Sequence, residues 1–179
     1  MKKIILFASI MFASGLLFTN IYNSMVDAKS WGADIPQSLS TARMYFKSAN
    51  PGDFFRVFSP INQLLGLLAL MMFWKFSATV RTYLCIALLL YVLCDVFTFA
   101  YFYPRNDILF KTVPLTMTTI LSKAWSGWNR MNWLRSFMLF GGLIFSFLAL
   151  NKIFGKTNEE GTIKVPGNSR STALQAIKD

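Results

Sequence analysis

The 179-residue chain contains no histidine. That absence excludes a Ser-His-Asp triad, a histidine-ligated haem and the two-histidine, one-carboxylate iron site. Cysteine is nearly as scarce, with only Cys85 and Cys94. On one helix these two are separated by about 13.5 Å of rise and point to nearly opposite faces. They cannot form a disulfide with each other, and they offer no metal-ligand spacing. Two buried, inert thiols are the plain reading. Acidic residues number 8 against 18 lysines and arginines. The glycines form no phosphate-binding loop, and Asn158, followed by Glu159 and Glu160, is not a glycosylation site. No internal repeat is visible, and no cofactor is expected.

Apolar residues, in contrast, are abundant. They make up 54% of the chain, including 18 phenylalanines and 9 methionines, and the mean hydropathy is +0.44. A soluble domain of this size cannot place that much apolar surface in one core. Four stretches, at about residues 4–23, 58–76, 82–103 and 133–150, reach the roughly 17–25 residues that a membrane-crossing helix needs. Backbone hydrogen bonding in lipid leaves only helices or closed barrels. Alternating ten-residue strands are absent, so helices are expected. The predicted fold is all-α: a four-transmembrane-helix bundle over residues 1–154, with short interfacial helices in two external loops. A polar tail follows at 155–179. The start Met1-Lys2-Lys3 resembles a signal peptide. However, its small residues Ala13, Ser14 and Gly15 are badly spaced for cleavage and the apolar run continues to Ile21, so an uncleaved first helix is expected.

The net charge of +10 invites a nucleic-acid reading. The cations are spread through every connection, as anchors and topology signals are in membrane proteins, so no nucleic-acid partner is expected. Lys2, Lys3, Lys75, Arg81, Lys152 and Lys156 crowd one set of helix ends. That density predicts cytoplasmic termini, and the Lys/Asn-rich style with its Met-Lys-Lys start reads as a bacterial inner-membrane protein.

Local signals refine the expected loops. Pro36–Ser48 reads as a short surface helix. Asn50-Pro51-Gly52-Asp53 starts a helix, with Asn50 as cap, and Pro60 is expected to kink it. The short connection at 76–82 makes the second and third spans antiparallel neighbours. Tyr101, Tyr103 and Pro104 are expected to close the third helix. Ile108–Ala124 is expected to lie as an interfacial helix across the bundle mouth. Gly141-Gly142 permits close approach by a neighbouring helix.

Two features carry potential chemistry. Asp95 lies inside the third apolar run, where an ionised carboxylate costs about 2.5–3.5 kcal/mol. Arg135, at similar depth on the fourth helix, is its expected partner. A proton-handling or ligand-binding carboxylate is one reading, and a structural ion pair is the other. Separately, Asn20, Tyr22, Asn62, Tyr103, Asn106, Trp128, Asn132 and Arg135 gather polar and aromatic groups toward one end. Trp128, Asn132 and Arg135 are spaced four and three, on one helix face. Together these residues suit a pocket for a flat molecule, whereas capping and interface anchoring explain each of them singly.

The fourth helix opens Trp128-Asn129-Arg130-Met131-Asn132-Trp133-Leu134-Arg135-Ser136, the third ends Tyr103-Pro104-Arg105-Asn106, and the first carries Ser14-Gly15 and Asn20-Ile21-Tyr22. This pattern resembles the anthrone-oxygenase-like family of small four-helix membrane proteins, over about residues 1–150. The resemblance implies a compact bundle and, for a few fungal members, oxygenation of an anthrone to an anthraquinone without an evident metal or flavin. By that analogy Asn106, Trp128, Asn132 and Arg135 line the pocket. Asp95, or a water held by amides, would take the substrate proton, and Arg135 would hold the oxyanion. Two rival readings stand beside it: an accessory subunit of a larger membrane complex, with partner subunits docked on helix faces and tail, and a transporter, for which four helices without repeats would need to oligomerise.

Overall fold

A computed structural model of the chain describes residues 2–162. The described residues are helical apart from short connections. Four helices are long and apolar enough to cross a membrane, which makes this a multi-pass membrane protein. They are α1 (Lys2–Gly32), α3 (Pro51–Phe73), α4 (Ala78–Thr112) and α5 (Thr118–Thr162), with the short α2 (Gln37–Tyr45) between the first two spans. Each span packs on the next in chain order, and α5 packs back on α1, so the bundle is a closed up-and-down ring.

Length decides where the special features sit. At 1.5 Å per residue α3 measures about 34 Å, close to a hydrocarbon core of about 30 Å, whereas α1 and α4 are about 46 and 52 Å long. Their surplus turns, the start of α5 and α2 together build a second small core beyond the lipid, at the end of the bundle away from Lys2. Trp31, Leu39, Phe102, Leu109, Leu121 and Trp128 are buried there. This end is the distal end below. The opposite end holds its own apolar cluster around Leu6, Phe73, Val80 and Ile153. Cationic side chains there lie on aromatic rings: Lys3 on Phe154 at 4.2 Å and Arg81 on Trp74 at 5.1 Å.

The expected four-span bundle with short helices is present, but the chain breaks in other places. The first span does not stop near Tyr22; it passes through a π-helical turn at Asn23–Asp27 and continues to Gly32. Nor does Pro104 close the third. Proline lacks an N–H and its ring crowds the carbonyl four residues back. A π turn at Thr98–Phe102, in which the Tyr103 N–H bonds to the Thr98 carbonyl, widens the helix just before Pro104 and lets it continue. A third π turn, Ile108–Thr112, ends it, and Val113 is extended. Ile108–Ala124 is therefore no single interfacial helix: its two ends belong to α4 and α5, and only residues 113–117 lie between. Pro60 lies within α3, which runs on through it. The fourth span passes Gly155, where the polar tail was expected to begin, and reaches Thr162. The rest of that expected tail lies outside the described residues.

Caps fit the sequence signals. Asn50 and Asp53 form a reciprocal capping box at the start of α3, and Ser77 caps α4. Arg43, on α2, donates to the Leu109 carbonyl at 2.7 Å and to the Val113 carbonyl at 2.9 Å, capping the end of α4. Burial lowers the Arg43 guanidinium from its usual value, but arginine starts so high that it stays charged. The Trp125 indole donates to the Ala28 carbonyl at 2.6 Å, and its ring lies on Gly32, leaving no room there for a side chain.

Gly142 is the close-approach position within the membrane. A methyl group there would run into the ring of Tyr91, which is itself buried and bonded to Ser146. Gly142→Ala is expected to cost about 1–3 kcal/mol by overpacking. Gly15→Ala, whose added carbon meets nothing within 4 Å, is expected to be neutral or slightly stabilising. Equilibrium unfolding of both variants in mixed detergent checks the contrast, and equal stabilities would refute it.

Candidate functional site

The polar residues of the bundle concentrate just below the distal core. Asn20 on α1 donates to the Asn132 carbonyl at 3.1 Å and to the Ser136 hydroxyl at 2.8 Å. Asn132 on α5 returns the bond, donating to the Asn20 carbonyl at 3.2 Å and to the Ser24 hydroxyl at 2.7 Å. Both asparagines are wholly buried. This reciprocal clasp forms because each amide NH₂ carries two donors, one given to the other asparagine's backbone carbonyl and one to a serine hydroxyl. Lipid offers no competing partner.

One turn further along α5, Trp128 donates its indole N–H to Asn106 at 2.8 Å. Its ring meets Trp31 and Phe102 edge-on, at centroid distances of 4.8 and 5.4 Å. Above this group a cavity of about 600 Å³ opens at the distal end, well within the range of small-molecule sites. Trp31, Phe46, Phe110 and Trp128 supply aromatic wall, and Tyr103, Asn106 and Asn23 supply polar groups. Because Asn106 accepts from Trp128 through its oxygen, its NH₂ remains free to donate into the cavity. Asn23 is 4% exposed and its side chain makes no hydrogen bond among the described residues, leaving a complete amide at the cavity floor.

The expected site residues thus separate into groups. Tyr103, Asn106 and Trp128 line the cavity. Asn20 and Asn132 lie beneath it, their NH₂ groups engaged in the clasp and their amide oxygens buried without a partner among the described residues. Asn62 is buried on α3, with its amide oxygen unpartnered. Tyr22 is 56% exposed and faces away from the group, because the helix turn that carries it points outward. Asn23 and Asp107, which also line the cavity, were not among the expected residues. The sequence signal for Asn23 was the unbroken helical spacing past Tyr22, which brings it one turn beyond Asn20 on a shared face.

The expected Asp95–Arg135 ion pair does not form. The Asp95 carboxylate instead accepts from the Ser59 hydroxyl at 2.7 Å and from the Gln63 amide at 2.6 Å, both on α3. Those nearer donors on the adjacent helix satisfy it locally. Arg135, only 6% exposed, lies over Phe55 at 4.2 Å and near Phe102 at 5.4 Å. The two charges remain close enough to attract, but no ion pair joins them within 4 Å. Neither residue lines the cavity. Arg135 sits behind Phe102, which in turn backs Trp128.

The clasp is expected to be cooperative. Asn20→Leu and Asn132→Leu should each cost about 1–3 kcal/mol, since each strands buried groups of the other residue. The double substitution should cost clearly less than their sum. A double-mutant cycle by detergent unfolding measures this, and simple additivity would show that the two amides do not act as a pair.

Among the described residues no three His, Cys, Asp or Glu side chains gather as a metal site. No curated protein and no solved structure matches the chain. A model of the anthrone oxygenase family matches residues 54–145. That segment is just over half of the chain and contains most of α3, all of α4, and Asn106, Trp128, Asn132 and Arg135 of the site. By this match the chain belongs to the anthrone oxygenase family.

Proposed function

We propose that this protein is a cofactor-independent oxygenase of a flat hydrophobic aromatic molecule, bound in the distal cavity. The observation that carries the reading is the cavity itself: aromatic walls and amides around a volume fit for a fused-ring ligand, to which the family-matched segment contributes Tyr103, Asn106, Phe110 and Trp128. Membership of the family supports an oxygenase role. In the reaction, an activated CH₂ flanked by aryl rings loses a proton, and the resulting carbanion is oxidised by O₂ to a hydroperoxide. Loss of water then leaves a carbonyl, so one CH₂ and one O₂ give one C=O and one H₂O. Asp107, paired with Lys111 at 2.9 Å, is the carboxylate on the cavity lining, and Asp95 does not reach that lining, which favours Asp107 as the proton acceptor. The free amides of Asn23 and Asn106 would hold the enolate oxygen, and the buried charge of Arg135 would stabilise it through the intervening rings. Asp95 then serves to join α3 to α4.

The same reading puts the protein in a bacterial inner membrane, with cytoplasmic termini and the cavity facing outward. The support is the cluster of Lys2, Lys3, Lys75, Arg81 and Lys152 at the ends nearest Lys2.

With anthrone as probe substrate, Asp107→Asn is expected to slow O₂ uptake and quinone formation by about 10²-fold or more, whereas Asp95→Asn should act mainly on stability. Quinone formation no faster than in protein-free vesicles would refute the oxygenase. For the orientation, Lys47→Cys in a chain lacking Cys85 and Cys94 should react with a membrane-impermeant maleimide added to intact cells. Labelling only after lysis would reverse the topology.

A further inference from the structure

The cavity is not electrically neutral. Arg43, Lys47, Arg56 and Lys111 contribute to its lining, against the single carboxylate of Asp107. Arg56 pairs with Asp53 at 2.7 Å, and Lys111 with Asp107 at 2.9 Å. Even with Asp53 counted, the mouth keeps an excess of two positive charges, and Lys47 has no ion-pair partner among the described residues. The start of α3, Asn50 to Gly52, opens on the same mouth and adds the positive end of a 23-residue helix. Beneath the floor lies Arg135, buried and without a carboxylate within 4 Å. Fields of one sign above and below a low-dielectric space add within it. Asn23, only 4% exposed, turns what surface it has to the same cavity, a second and independent sign that a polar ligand atom belongs there.

We propose that the ligand of this cavity is a planar aromatic acid: a fused ring system that carries a permanently ionised group such as a carboxylate. The rings lie among Trp31, Phe110 and Trp128. A ring oxygen meets Asn23 and Asn106, and the acid group reaches the rim between Lys47, Arg56 and Lys111. This rests on the aromatic-ligand reading above and narrows it to a substrate class. Acid and ring are read by different residues, so they can be tested separately. A rim charge also acts at a distance, drawing an anion from water toward a cavity that opens at the membrane surface.

The test uses the full chain in phosphatidylcholine nanodiscs, with quenching of tryptophan fluorescence as readout and empty nanodiscs subtracted. The probes are anthraquinone-2-carboxylate and its neutral counterpart 2-(hydroxymethyl)anthraquinone. The carboxylate is expected to bind at least about tenfold more tightly at low salt. That advantage should shrink as ionic strength rises toward about 0.3 M. In the triple variant Lys47→Gln/Arg56→Gln/Lys111→Gln the carboxylate's affinity should fall to that of the neutral probe. Equal affinities in the unaltered protein, or an advantage that survives the triple substitution, would overturn the acid-binding proposal while leaving the ring site standing. Failure of both probes to bind would overturn the ring site, and the acid proposal with it.

Discussion

The exchange of hydrogen bonds between Asn20 and Asn132 is the constraint on which the rest of the bundle depends. It joins the first span to the last and so closes the ring of helices. Its two partners are wholly buried, at a depth where an amide without a partner is expensive. The register it sets is sharp: a slip of one residue along either helix would turn an amide into lipid. With α1 and α5 so fixed, Ser24 and Ser136 fall into place beside the clasp. About one turn above the two asparagines, Asn23 and Trp128 then both line the cavity. The height of the floor is therefore set by the clasp, and the ring system of a ligand would rest on it.

Arg135 shows how a membrane bundle can keep a cation without a carboxylate in direct contact. Its guanidinium is covered by aromatic faces, which offer electron density without bringing a second charge. A carboxylate in contact would have cancelled its field. With Asp95 bonded instead to α3, the positive potential remains available on the side that faces Phe102 and Trp128. The two ionisable groups that a sequence reading joins are thus more informative apart, one as a joint between helices and the other as the source of a field.

Much of this was legible in the sequence, for identifiable reasons. The spans were readable because hydrocarbon thickness imposes a length on any apolar run. The amide layer was readable because asparagine is costly in lipid, and Trp128, Asn132 and Arg135 share a helical face. Helix ends were not readable. Tyr22 and Pro104 look like stops under α-helical rules, yet a π turn carries the chain past each, and π turns leave no mark in composition. Those two continuations bring Asn23 and Asp107 to the cavity, so the same error that misplaced the loops also hid two site residues. The partner of Asp95 was hidden for another reason. Ser59 and Gln63 are neutral, and a search for an opposite charge passes over them.

The clasp also has a consequence for how the protein is made. Its two asparagines lie 112 residues apart, and the chain emerges with α1 first. During synthesis α1 enters the bilayer carrying the Asn20 amide before its α5 partners are made, whereas Ser24 already bonds to the Asn20 carbonyl of its own helix. Neither α3 nor α4 brings a hydrogen-bond partner to Asn20; only α5 does. The nascent helix must therefore be sheltered, by the insertion machinery or by water at the membrane surface, until nearly the whole membrane domain has been translated. The bundle is accordingly assembled late and all at once, and a chain cut short before α5 would leave α1 with a polar face that lipid cannot cover.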